Sequence, residues 1–554
     1  MPVSTRKNAI YNVGYRMLSV LLPIVTAPYL ARTVGQEGTG LYAYAWSISA
    51  IFVLLGMLGL ENYGVRAIAQ VRDDPARRNR VFSEIYQMQL FTAGTALVLY
   101  VGYVVFVAGA EQYIAAWLTL MSVSCLVNLD WLLMGLDRFR PIALRNTFVK
   151  LMAAASVFLL VRGKEDLWRY GLIWGGSTLV GCLSCWIGLK RQVRFHPVPW
   201  RDALRHLRPC AVLFLSVIAV QVYRTMDKVM VGAISGMAEN GLYENAEKII
   251  YCLSGFISAI GTVMLPKVAA MHVRGETAAV KRHMTLSMEL VLCMTCAMAF
   301  GVAAVATEFA PLFFGADFAY SGILMIPLAF TLIMIGFANV VRTQWVLPQG
   351  RDAIFVRSVC SGAVVNLIVN SALIPPLGAM GAVIGTLAAE FTVPFSQWLM
   401  LRRELPYGRF LGMVVAYCLL GLVMLGAVRL CGMLCPWDGW VRLGVEVLVG
   451  IGVYGVSCLA YWRLAGRQEV LHLSLIHISF YANIKTLFTI HNLQYQGIFG
   501  IREVQDVLGL GDSLWTNDKL ECLDHACAYG ANMMSGKFGI VNRLACLRTN
   551  KHLL

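Results

Sequence analysis

The chain has 554 residues, of which 58% are hydrophobic and 14% charged, and it carries a formal net charge of +15. Soluble globular domains carry nearer a quarter charged residues, so an ordinary soluble protein is excluded and the composition is that of a polytopic membrane protein. The basic excess does not point to nucleic acid, because Lys and Arg are scattered singly or in short clusters between apolar runs.

A span needs roughly 20 apolar residues. On that measure, spans are predicted near 8–30, 41–60, 85–108, 113–135, 146–162, 167–189, 210–234, 245–266, 285–306, 320–341, 354–374, 380–400, 410–431 and 440–462, fourteen in all. Basic residues gather in alternate loops, among them Arg72 to Arg80, Arg138 to Arg145, Lys190 to Arg208, Lys267 to Arg282 and Arg402 to Arg409. The positive-inside rule then places the N-terminus in the cytoplasm. Arg6-Lys7 leads into a span too long for a signal peptide and without a cleavage site.

The first span carries Asn8, Asn12, Arg16 and Ser19 as a polar stripe on an apolar helix. Arg16 lies about 12 Å along the helix from Asn8, deep enough to face a central cavity. At the inner end of span two, Arg66 reads either as a packing residue or as a phosphate-facing one. Trp131, Gly135 and Arg138 after span four are echoed by Trp345, Gly350 and Arg357 after span ten. By spacing the echo is weak; together with the family resemblance given below, which carries most of it, it implies six-helix halves, 1–189 and 210–400, joined by a cytoplasmic linker at 190–209 and followed by two further helices within 401–471.

Span seven holds the densest intramembrane charge: Gln221, Arg224, Asp227 and Lys228. Gln221, Arg224 and Lys228 fall at i, i+3 and i+7 and share a face, with Asp227 as a local counter-ion. An ionisable residue in a span is expensive unless it faces water or a partner, so this face is expected to line a cavity. A turn over Ser235-Gly236 and Glu239-Asn240-Gly241 leads into span eight, which opens with Glu244, Glu247 and Lys248. Lys248 is a second candidate for a phosphate. In span eleven Asn366 and Asn370 share a helix face, as an interhelical hydrogen bond or as a substrate contact.

Asp227-Lys228-Val229-Met230-Val231-Gly232, then Gly241-Leu242-Tyr243-Glu244-Asn245-Ala246-Glu247-Lys248-Ile249, then Gly261-Thr262-Val263-Met264-Leu265-Pro266, resemble bacterial polysaccharide flippases. So do Tyr63-Gly64-Val65-Arg66-Ala67-Ile68-Ala69 and the run from Gly362 to Glu390. That family, of O-antigen and exopolysaccharide flippases, belongs to the superfamily that also holds the lipid II flippase and the multidrug and toxin extrusion transporters. The resemblance implies an all-α transporter in the bacterial inner membrane. Its expected partners are membrane lipids, a lipid-linked oligosaccharide, and polymerases and glycosyltransferases of the same pathway. Neither catalysis nor a cofactor is implied. Cation-coupled drug efflux is the alternative within transport, and it calls for a carboxylate-lined, largely apolar pocket.

Most of the fifteen cysteines lie inside apolar runs, where a free thiol behaves as a small hydrophobe. Cys182-Leu-Ser-Cys185 and Cys293-Met-Thr-Cys296 have metal-ligand spacing but no second pair or histidine beside them, so helix packing is expected and no metal. After Gln468 the spans stop. Phe488 to Phe499, with His491 and Asn492, resembles an α/β-derived segment of bacterial glycogen synthase, whose matching histidine lies at the active site. The donor-binding loop and the C-terminal domain of that family have no counterpart here. The 472–554 tail is therefore expected to be an inactive fragment, from a chimeric reading frame or a natural fusion.

Overall fold

The computed structural model describes residues 5–187, 189 and 193–467, without the side chains of residues 5–21, 139–140, 212–213, 215–217, 219–220, 222–224 and 262–263. The Arg16 and Arg224 side chains thus lie outside the description, and His491 and Asn492 lie outside the described residues. All regular structure among the described residues is helix, because a span in hydrocarbon must satisfy its backbone polar groups within itself.

The first half contains α1 (Thr5–Met57), α2 (Leu60–Gln70), α3 (Pro75–Phe106), α4 (Gln112–Val127), α5 (Asp130–Gly135), α6 (Phe139–Leu160) and α7 (Leu167–Ser184). The short α8 (Trp200–Leu204) precedes α9 (Leu207–Ile234), α10 (Met237–Val273), α11 (Thr277–Phe314), α12 (Ala319–Ala329), α13 (Thr331–Val341), α14 (Asp352–Leu377) and α15 (Ala379–Leu401). Two more helices follow, α16 (Tyr407–Leu434) and α17 (Gly439–Leu464). Eleven of the described helical stretches are long and apolar enough to cross a membrane, against the fourteen spans expected. Expected span one and most of expected span two fall within the single helix α1, which has a kink at Gly35, whose φ of 73° is outside the helical range, and ends at Met57.

Local chemistry sets the boundaries. Pro75 sits in the first turn of α3, and the Asp74 carboxylate accepts from Ala76 N at 3.0 Å and Arg77 N at 3.1 Å, an N-cap. The turn expected over Ser235–Gly241 is shorter than predicted. Ser235 and Gly236, the latter at φ 97°, make it, and Glu239, Asn240 and Gly241 already belong to α10. Glu239 reaches across to accept from Ala379 N at 3.0 Å, placing a carboxylate at the start of α15.

Asn240 and Gly241 are helical because α1 crosses α10 there at backbone contact. A Cβ on Gly40 would lie 1.7 Å from Met237 O, and one on Gly241 would lie 2.0 Å from Gln36 O. Each glycine thus meets the carbonyl four residues before the other. Asn240 Nδ2 donates to Gly40 O at 2.8 Å beside this crossing.

The linker is strapped to α3. Backbone N–H groups of Arg194, His196 and Val198 donate to Asn79 Oδ1, Ser83 Oγ and Gln87 Oε1 at 3.0, 3.0 and 3.1 Å. Four residues of helix rise about 6 Å and two of extended chain slightly more, so the two spacings match. Buried Glu84 then holds Arg205 at 2.5 Å and His206 at 3.0 Å, and Tyr63 of α2 lies 2.6 Å from the other ring nitrogen of His206. Those contacts position the start of α9.

Candidate functional site

Asp227 and Lys228 are neighbours on α9, and successive helical residues point about 100° apart. Lys228 faces α10: its Nζ lies 2.7 Å from Glu244 Oε2 and 2.8 Å from Glu247 Oε2. Lys248 Nζ is 3.1 Å from Glu244 Oε1, one turn along. Lys228 is thus paired with Glu244 and Glu247 and not with Asp227, which the sequence reads as a local counter-ion three residues after Arg224, whose side chain lies outside the described residues. Two lysines and two glutamates form a charge-balanced cluster.

Asp227 turns the other way and is buried against α14 and α15. Its Oδ2 accepts from Tyr243 at 2.9 Å and Thr386 at 2.7 Å, and its Oδ1 accepts from Asn370 Nδ2 at 2.5 Å. Asn370 Nδ2 also lies 3.2 Å from Asn366 Oδ1. A Cβ on Gly385 would stand 1.8 Å from Asn370 Oδ1, so only glycine leaves room for that amide. Among the described residues no cation lies within ion-pair distance of Asp227. No cluster of three or more His, Cys, Asp or Glu side chains there is arranged to hold a metal ion.

In front of the lysine–glutamate cluster lies a cavity of about 250 Å³. Its lining includes Tyr42 and Trp46 of α1, Tyr170 and Trp174 of α7, Lys150 of α6, Lys228 of α9, and Glu244 and Lys248 of α10. Tyr42 and Tyr170 meet edge to face with centroids 4.4 Å apart. Such a lining offers ring faces to an apolar or sugar surface and ammonium groups to an anion.

Of the candidate residues, Lys228 and Lys248 line this cavity. Asp227, Asn366 and Asn370 form the buried cluster behind it, while Gln221 is half-buried on α9 outside the lining and Arg66 is exposed on α2. The sequence reading missed the aromatic lining, although Tyr42/Trp46 and Tyr170/Trp174 are both i, i+4 pairs. It also passed over the match of Gly40-Leu41-Tyr42 with Gly241-Leu242-Tyr243, whose glycines meet at the crossing and whose tyrosines serve the two polar sites.

Residues 5–272 match the family of polysaccharide biosynthesis proteins. A candidate O-antigen transporter of Escherichia coli (strain K12) is 22% identical over 414 residues, 73% of this chain and 98% of that protein. One from Shigella dysenteriae is 23% identical over 389 residues, 67% of this chain and 94% of that protein. Among solved structures, the lipid II flippase MurJ in an inward closed conformation superposes with a TM-score of 0.68 at 14% identity, over 83% of this chain and 99% of that one. An inward-facing multidrug resistance transporter of the MATE family gives 0.54 at 14% identity, over 73% and 98%. The tail matches differently: residues 470–543 fit the starch synthase catalytic domain. The glycogen synthase of Lachnospira eligens is 51% identical over 47 residues, a tenth of that enzyme. Residues 5–272 thus match the polysaccharide biosynthesis protein family, in a membrane body with the fold of MurJ and MATE transporters, and residues 470–543 match part of a starch synthase catalytic domain.

Proposed function

We propose that this protein moves an undecaprenyl-diphosphate-linked oligosaccharide from the inner to the outer leaflet of the bacterial cytoplasmic membrane, by alternating access of its two halves. The observation that carries the reading is the cavity lined by α1, α6, α7, α9 and α10, in which Tyr42, Trp46, Tyr170 and Trp174 share the lining with Lys150, Lys228, Glu244 and Lys248. Sugar rings stack on Trp46 and Trp174, while Lys150, Lys248, Arg16 and Arg224 offset the diphosphate or acidic sugars. Lys228 already holds two carboxylates, so an anion reaches it only by displacing a glutamate. The likeness to transporters named for O-antigen and lipid II supports the substrate class.

The test uses proteoliposomes carrying a fluorescent polyprenyl-diphosphate oligosaccharide. Trp46→Ala, Arg224→Ala and Lys248→Ala should each slow its flipping at unchanged abundance, and normal rates in all three would refute the reading. Cation-coupled efflux is the competing reading, favoured by Glu244 in the cavity wall. It predicts export of an organic cation that Glu244→Gln abolishes.

The N-terminus is placed in the cytoplasm. On a cysteine-free background, cysteines at Ala238 and Asp317 should react with an impermeant thiol reagent from outside, and cysteines at Arg274 and Gly350 should not. The reverse pattern overturns the orientation. The tail is read as dispensable, so truncation after Gln468 should leave flipping intact, and no glucosyl transfer is expected from it.

A further inference from the structure

Four cysteines stand in two pairs where α11 meets the two helices that follow α15. Cys293 Sγ lies 3.8 Å from Cys458 Sγ on α17, and Cys296 Sγ lies 4.0 Å from Cys418 Sγ on α16. At i and i+3 on α11, the two thiols point about 60° apart, so one turn of helix addresses two different partners.

Neighbouring contacts hold both registers. The Tyr454 hydroxyl of α17 donates to Cys293 O at 2.8 Å, and Arg442 at the start of that helix pairs with Glu308 of α11 at 2.6 Å. On α16, a Cβ on Gly421 would stand 2.2 Å from the Phe300 ring, so that backbone passes close to α11 one turn from the second pair. A disulfide needs a sulfur separation of about 2.05 Å, so each pair closes by about 2 Å, a distance that side-chain rotation supplies.

We propose that these pairs are two oxidation sites, at which disulfides Cys293–Cys458 and Cys296–Cys418 staple α17 and α16 to α11. In each, two S–H bonds break and one S–S bond forms. The two electrons and two protons pass to a membrane-soluble two-electron oxidant, a quinone becoming a hydroquinone or an azo compound a hydrazine. One thiol of each pair, Cys293 and Cys418, is half-buried. Cys418 stands beside Leu419, which is 57% exposed on the surface that hydrocarbon covers. An apolar oxidant therefore approaches through the bilayer.

The full-length protein in native membranes would be treated with the permeant azo oxidant diamide, blocked with N-ethylmaleimide, denatured and peptide-mapped. Cross-links 293–458 and 296–418 are expected, with loss of alkylation at those four thiols. Cys418→Ser should free Cys296 for alkylation and leave the 293–458 bond in place. Full alkylation of all four thiols after oxidation would overturn the proposal. Bonds joining any of them to other cysteines would do so too.

Discussion

Lys228→Ala removes the one cation shared by two carboxylates. Its Nζ lies 2.7 Å from Glu244 and 2.8 Å from Glu247, whereas Lys248 reaches only Glu244, at 3.1 Å. The substitution therefore strands Glu247 more than Glu244. Removing one partner of a buried pair costs about 3–5 kcal/mol. These side chains keep 16% to 23% exposure beside a cavity, and solvent screening lowers the expected loss to about 2 kcal/mol. Adding Glu247→Gln removes the stranded charge, so the double variant should recover about 1 kcal/mol relative to the sum of the single changes. The assay is the apparent unfolding midpoint in detergent, read by tryptophan fluorescence, beside glycan export at matched abundance. Additivity of the two substitutions within about 0.5 kcal/mol would refute the coupling. An unchanged midpoint for Lys228→Ala would show that the cluster is fully solvated.

At the α1–α10 crossing, Gly241→Val should lower the unfolding midpoint by an amount corresponding to 1–3 kcal/mol or more, roughly the cost of overpacking, since its Cβ would collide with a carbonyl and not with a movable side chain. A midpoint equal to the parent's would show that the crossing is not close-packed. Asp227→Asn replaces a carboxylate oxygen that accepts from Tyr243, Thr386 or Asn370 with a donor. It should cut export at least tenfold with insertion preserved, and normal export would make Asp227 a packing group alone. Glu404, in the turn before α16, accepts from Arg351 at 2.6 Å and Trp345 at 2.9 Å, and the Arg351 hydrogen bond is the chief reason its carboxyl is held below the usual range. A lowered folded-state pKa adds stability above the unfolded value of about 4.3 and loses it as pH falls through the folded one. Glu404→Gln should therefore flatten the fall in unfolding midpoint below about pH 4.3, and an unchanged acid limb would count against the bond.

Much of the fold was legible because hydropathy is local. The apolar runs read from the sequence fall largely on helix among the described residues, although several run past helix ends, as 41–60 does over the Leu58-Gly59 break, and α3 starts at Pro75, ten residues before the span expected there. Where the reading missed, a neighbour decided. Asn240 and Gly241 look like turn residues by composition, but they are helical because α1 needs an amide donor and a missing Cβ at that height. The site was legible in its residue types and not in its partners. Asp227 and Lys228 stood out as intramembrane charges, yet the 100° between them sends one to α14 and α15 and the other to α10.

The sequence alone determined that this is a many-span membrane protein, because bilayer thickness sets how long an apolar run must be. It also determined that the chain changes character after Gln468, because composition and motif do not depend on packing. Only the tertiary structure decided the cavity. Trp46 and Trp174 lie far apart in the chain, as do Asp227 and Thr386, and each pair serves one site because helix rotation and crossing bring its members there. Those rotations follow from side chains packing between helices, such as Gly385 making room for Asn370, and no single helix encodes what its neighbour will present to it.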